Sequence, residues 1–317
     1  MNFRSPLTGE VLLTEVNGLS TRGLRVKQAP VNASPLPPDV PPVPPAAQSA
    51  DPNPIARWRW WIHLLVIAAY PLLIGVVSLG GHEAGGPALS SGAKGLLVVC
   101  AVQLAVFSLV FGLAWLASRA SRDALLWRWR GGFWPVPLGI AYSVGLRLAV
   151  GIVAVAVGVV LILSGAVSMA GLEKFTLANR PDVEAVVDVS AMRHDPLYFW
   201  LTLTLVSFVV AGLREELWRA AFLAGLRGLW PRSFGSRSGQ IAAVAVAAVI
   251  FGLGHLPQGV LAVVMTGLLG FGLGLIMVLH RSIWPAVIAH GMFDATSLAL
   301  IPWALEKLQE VQKTFGH

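Results

Sequence analysis

The chain is poor in cysteine and in charge. One cysteine among 317 residues, Cys100, excludes an intrachain disulfide, a CxxC motif and a zinc ribbon. It lies in an apolar run and reads as a small core or lipid-facing residue. Charged residues make up 12% of the chain, against roughly 25% in soluble domains. Hydrophobic residues reach 56% and the mean hydropathy is +0.71. A soluble globular class is therefore excluded. Several apolar runs of about 18 or more residues indicate a polytopic membrane protein instead. The N-terminus also lacks a basic start, apolar run and small-residue cleavage site, so the first span is expected to stay as an uncleaved anchor. Finally, the net charge is +7. That charge fits Lys and Arg held on the cytoplasmic side against anionic lipid, and no nucleic-acid partner is expected.

What is present divides the chain into four parts. Residues 1–57 form a polar arm in which ten of the 21 prolines fall between Pro30 and Pro54. Such a segment favours extended polyproline II, cannot bury a core, and is expected to be disordered. Residues 58–196 should hold N-terminal transmembrane helices and an extracytoplasmic loop, residues 197–304 a catalytic core, and residues 305–317 a tail. The fold class expected is an all-α polytopic transmembrane helix bundle of about 7–8 spans. Seven runs are delimited: Trp60–Leu79, Gly95–Ala117, Pro137–Val167, Leu197–Leu213 continuing helically to about Arg227, Gln240–Gly254, Gly259–Leu279 and Ile283–Ala304. Arginines precede the first run and follow the second, fourth and sixth, whereas the 172–196 loop has three basic residues against five acids. The positive-inside rule then puts the N-terminus in the cytoplasm. Trp58, Trp60, Trp61, Trp127, Trp129 and Trp134 gather at run ends as an interfacial belt. Gly270 and Gly274 make a small-xxx-small packing face. No strand precedes these glycines and no Lys-Ser/Thr follows them, so a phosphate loop is excluded.

Within these runs sit ionisable side chains that a bilayer disfavours. A charge at the bilayer centre costs at least ~2.5 kcal/mol by insertion scales, and such residues are by default functional. In Arg214-Glu215-Glu216-Leu217-Trp218-Arg219, Glu215 and Arg219 are four apart and share a helical face, while Glu216 points about 100° away. These charges could simply be a solvated cap on a span. The apolar Ala220, Ala221, Phe222 and Leu223 that follow argue against a membrane exit. Phe251-Gly252-Leu253-Gly254-His255 closes another run, and a lone histidine there could equally be a satisfied core residue. His290 and Asp294, four apart, lie on one face of the last run, where they could share an ion or merely bond to each other. If the three pieces meet, they supply two imidazoles, an aspartate, glutamate and an arginine. His255, His290 and Asp294 suit Zn²⁺ with one position left for water, whose pKa the metal would lower toward ~7. A second carboxylate, Glu215 or Glu216, would take the proton as general base. Ser207 and Ser297 are lone helical hydroxyls expected to bond back to the preceding turn.

The ordered set resembles the CPBP family of intramembrane proteases, the CAAX-protease and bacteriocin-processing (Abi) type. Its pattern is Glu-Glu-xxx-Arg, Phe-xxx-His and His-xxx-Asn/Asp on separate membrane helices. Phe251-xxx-His255 and His290-xxx-Asp294 match, and Ser282-Ile283-Trp284-Pro285 is similar to the family's lead-in. The first motif departs: two residues, not three, separate Glu216 from Arg219. Aligned on Arg219, Glu215 takes the second-glutamate position and Arg214 the first; aligned on the Glu-Glu pair, the arginine shifts by one. The resemblance implies an intramembrane endopeptidase acting on a membrane-associated peptide or protein. It implies Glu215 as water activator with Glu216 in reserve. His255, His290 and Asp294 would hold the water or a metal and stabilise the oxyanion, and Arg219 would pair with a glutamate. The rival readings are a non-enzymatic membrane protein, such as a transporter or an immunity scaffold, and a degenerate family member. Arg147, deep in the third run, suits a transporter or a structural pairing with a buried acid.

Overall fold

Each of the seven apolar runs forms a helix. The computed structural model describes residues 56–81, 92–179 and 186–315. Among the described residues there are helices and no strands, so the chain is all-α. The proline-rich arm expected over 1–57 lies, up to residue 55, outside the described residues. The first helices are α1 (Arg57–Gly81), α2 (Ala93–Ser118) and α3 (Pro135–Leu163). Two short helices, α4 (Met169–Ala178) and α5 (Val189–His194), occupy the acidic loop. Then α6 (Pro196–Leu201), a π-helical stretch (Thr202–Leu213) and α7 (Arg214–Leu229) join end to end. They are followed by the one-turn α8 (Pro231–Phe234), α9 (Arg237–Leu253), α10 (Val260–His280) and α11 (Trp284–Phe315). The last helix thus continues through most of the stretch expected as a tail.

Five of these elements are long and apolar enough to cross a membrane: α2, α3, the continuous 34-residue Pro196–Leu229, α10 and Trp284–Ala304 of α11. Seven runs were expected to span. Of the other two, α9 is a shorter apolar helix, ended by Gly254 and the Pro257 turn (Leu256–Gln258). The other, α1, is 25 residues long and contains Pro71. Two acids of the 172–196 loop have local uses. Asp188 caps α5 by accepting from Ala191 N (2.9 Å). Asp195 caps α6 through Oδ1 and accepts from Ala93 N of α2 through Oδ2 (3.2 Å). Cys100 is buried in a satellite cluster with Leu96 and Tyr198.

The bundle is arranged inside out relative to its hydropathy. The most polar of the long helices, α7, is the innermost: every residue from Glu216 to Leu226 is buried. The apolar α2 and α3 show most of their surface outward, as lipid-facing helices do. Because lipid is as apolar as leucine, close packing and polar bonds must hold such helices together. On α1, His63 lies between the carbonyl oxygens of Ala114 on α2 and Ala221 on α7, 2.9 Å from each. Trp218 Nε1 of α7 donates to the Ile67 carbonyl (2.8 Å). Ser207 donates to Thr202 O and Ser297 to Phe293 O, back-bonding as expected.

Glycines set the closest approaches. A Cβ on Gly212 of the π-helical stretch would lie 2.9 Å from the Val287 carbonyl, and one on Gly291 of α11 would strike the Phe208 ring. These two positions let α11 lie directly against the element that leads into α7. Where α9 meets α10, a Cβ on Gly252 would lie 2.6 Å from the Val263 carbonyl, backbone that cannot swing aside. Nothing lies within 4 Å of a Cβ at Gly112. Gly252→Ala should therefore destabilise by about 1–3 kcal/mol through overpacking, while Gly112→Ala should be neutral or slightly stabilising in thermal unfolding of the detergent-solubilised protein. Equal melting temperatures for the two variants would contradict this packing.

Candidate active site

An irregular stretch leads into α7. A π-helical turn widens the helix, and such turns concentrate at functional sites. Here it extends over Thr202–Leu213 and ends directly before Arg214. The two following glutamates then face different surroundings. Glu216 is 0% exposed; one carboxylate oxygen pairs with Arg219 Nη1 and the other lies 3.1 Å from His290 Nδ1. Glu215 keeps 19% of its side chain exposed. Its Oε1 accepts from Arg214 Nη2 (2.9 Å), and its Oε2 is 3.8 Å from His290 Nε2.

Arg219 therefore pairs with Glu216 rather than with Glu215, the residue expected to share its face. The reason is helical geometry: positions three and four apart are both neighbours on a helix surface. The same fact accommodates the spacing between Glu216 and Arg219, one residue shorter than the family pattern, because the contact is retained at i,i+3. A solvated cap is also excluded, since Glu216 and Arg219 are both 0% exposed. The glycine face on α10 now has a partner. A Cβ on Gly270 would come within 3.4 Å of Arg219 Nη2, and one on Gly274 within 3.4 Å of its Cδ. The small-xxx-small spacing makes room for a buried guanidinium as well as for a helix.

From α11, His290 brings its ring between the acids. Nδ1 faces Glu216, a carboxylate, and so carries the proton donated to it. Nε2 faces the space between Glu215 and Asp294, whose Oδ2 is 3.6 Å away. The His290–Asp294 pair thus shares a face, as their spacing of four implies. Phe251 joins the second motif to the other two. The Arg219 guanidinium stands 4.8 Å over its ring. The same ring meets His255 edge-on at 4.7 Å and His290 at 6.4 Å between centroids. His255 Nδ1 lies 2.9 Å from the Phe251 carbonyl oxygen. Its ring is within electrostatic reach of Asp294, but it has no direct bond to the acids.

Six residues were singled out from the sequence. The structure gathers Glu215, Glu216, Arg219, His290 and Asp294 in direct contact, with His255 at the margin. The three expected metal ligands, His255, His290 and Asp294, do not form a cage. Among the described residues no three of His, Cys, Asp and Glu are placed to hold an ion, so this arrangement does not fit the Zn²⁺ expected from ligand types alone. Sequence reasoning missed Gln103, which accepts from Arg214 Nη1 (2.7 Å) across from α2. It also gave Arg214 no partner. The signal for Arg214 was its position, where one alignment puts a family glutamate; Gln103 gave none.

Breaking a buried ion pair strands a charge and costs roughly 3–5 kcal/mol. Glu216→Ala should therefore lower the melting temperature of the solubilised protein sharply. Glu215→Gln, at the partly exposed carboxylate, should shift it by a few degrees at most. Equal losses would mean that the two acids are not in different environments.

A model of one protein family, described as type II CAAX prenyl endopeptidase Rce1-like, matches residues 196–296. No curated protein matches the chain. No solved structure matches it.

Proposed function

Residues 196–296 belong to the CPBP/CAAX intramembrane protease family, and from that premise we propose that the chain hydrolyses a peptide bond of a membrane-associated substrate through a water activated by Glu215. At the family level it is a CAAX-type endopeptidase, and its apolar helices make it an integral membrane protein. The observation that carries the finer reading is the asymmetry of the two glutamates. Glu216 has both oxygens committed, to Arg219 and to His290. Glu215 has one oxygen committed to Arg214 and the other turned toward His290 Nε2 and the space beside Asp294. Of the two glutamates, only Glu215 has an oxygen available to a water.

In this reading Glu215 takes a proton from the water as its oxygen attacks the scissile carbonyl carbon. His290, its Nδ1–H held by Glu216, steadies the oxyanion that forms by donating from Nε2–H as an imidazolium, with His255 beside it. Asp294 orients His290 from the other side. The tetrahedral adduct collapses, the C–N bond breaks, and the proton held by Glu215 passes to the leaving amine. Arg219 touches none of the reacting atoms in this scheme; it neutralises Glu216. Cytoplasmic placement of the N-terminus is proposed with it, on the arginines that precede the first apolar run and follow the second, fourth and sixth.

A second reading has a specific observation in its favour. Arg214 occupies the position of the first family glutamate in one alignment, and it engages Glu215 directly. A protein that holds such a substrate without cutting it would fit this arrangement. The deciding experiment uses purified protein in liposomes with lipidated, membrane-anchored peptides, followed by mass spectrometry of the products. Cleavage by the wild type, reduced about 10²-fold or more in Glu215→Gln, is the expected outcome. Binding without cleavage by the wild type would favour the second reading. Full activity in both Glu215→Ala and His255→Ala would eliminate the mechanism.

A further inference from the structure

The gathered site contains three carboxylates, and the bundle supplies three arginines. Two pairings are direct: Arg214 with Glu215 and Arg219 with Glu216. Asp294 has no arginine within ion-pair distance, yet Arg147 of α3 is within its electrostatic reach. Residue 147 lies outside the segment matched by the family model. A guanidinium inside an apolar bundle must find acceptors, and this one finds them around Asp294. Nη2 donates to the carbonyl oxygens of Met292 (3.4 Å) and Phe293 and to the hydroxyls of Thr296 and Ser297 (3.2 Å). Nη1 is tethered to Ser143 of its own helix through Oγ (2.6 Å) and the carbonyl (3.1 Å). The Phe293 ring lies under the guanidinium at 4.2 Å. Acceptors on both sides of residue 294 are therefore taken by one cation from another helix.

We propose that Arg147 is a positioning residue for the site, holding the turn of α11 that presents Asp294 and balancing the charge of its carboxylate. The proposal rests on the role given to Asp294 above. It explains why a chain carrying aspartate at this position also carries an arginine in the middle of a lipid-facing helix: the charge on one requires the charge on the other. Loss of Arg147 should then matter far more when residue 294 is charged than when it is not. A helix staple that bonds only to carbonyl and hydroxyl groups would show no such dependence.

The test is a double-mutant cycle with Arg147→Gln and Asp294→Asn, read by thermal unfolding in detergent and by kcat and KM for peptide cleavage in liposomes. In the otherwise wild-type protein, Arg147→Gln should lower kcat about tenfold with little change in KM, a coupling of the size expected for neighbours. In the Asp294→Asn background the further loss should be threefold or less, on the same scale of coupling. Arg147→Lys, which keeps the charge and loses the fork, should recover part of kcat. The melting temperature should show the same dependence on residue 294. Equal losses of stability and kcat in both backgrounds would overturn the proposal and leave Arg147 as a staple. Coupling in stability without coupling in kcat would overturn the positioning role. If the wild type cuts no peptide, the endopeptidase reading falls separately, and the melting cycle still decides whether the two charges are paired.

Discussion

A carboxylate and a guanidinium buried together in an apolar bundle impose conditions on everything around them. Glu216 and Arg219 are both fully enclosed, and desolvating two such ions is expensive unless geometry and further hydrogen bonds compensate. His290 supplies one of those bonds, at the free oxygen of Glu216. Phe251 supplies a ring face for the guanidinium. Gly270 and Gly274 supply the volume. Arg219 nevertheless keeps Nε and Nη2 without a protein partner, polar capacity that a buried water could meet. The pair is therefore a poor source of net stability and a strict specifier of arrangement: α7, α9, α10 and α11 must all be in register for it to exist.

That register is what brings catalytic-type groups together. With Glu216 fixed, the next acid along α7, Glu215, sits at the edge of the same site with one oxygen free of arginine. With Nδ1 of His290 engaged by Glu216, Nε2 of the same ring is turned toward Glu215 and Asp294. One buried carboxylate thus fixes the imidazole's orientation, in the way that supporting groups orient a functional histidine. The surrounding helices contribute lipid-facing walls and, toward the charged groups, polar side chains such as Gln103 from α2 and Arg147 from α3. Both reach elements separated from them by more than a hundred residues.

Much of the fold could be read from the chain. Apolar runs of transmembrane length forecast the long helices, because backbone groups in lipid must bond within their own segment. The helix register of His290–Asp294 follows from the 3.6-residue period. The π-helical stretch before Arg214 could not be foreseen. It arises in an apolar run, Thr202–Leu213, with no proline to announce it. Its close partner, α11, is admitted by Gly212 and Gly291, whose purpose is visible only when the two helices are side by side. Nor could the partner of Arg219 be chosen, since residues three and four away were both acids.

The sequence by itself settled that this protein lives in a bilayer, that it is helical, and that acids and imidazoles interrupt its apolar runs in an order resembling one protease family. Those properties depend on composition and on local periodicity, which a linear chain already carries. Tertiary structure decided which glutamate is sealed and which is open, that the three expected metal ligands form no cage, and that arginines from separate elements attend the acids. Burial and pairing across a hundred residues are properties of packed helices, and only close approach in three dimensions creates them.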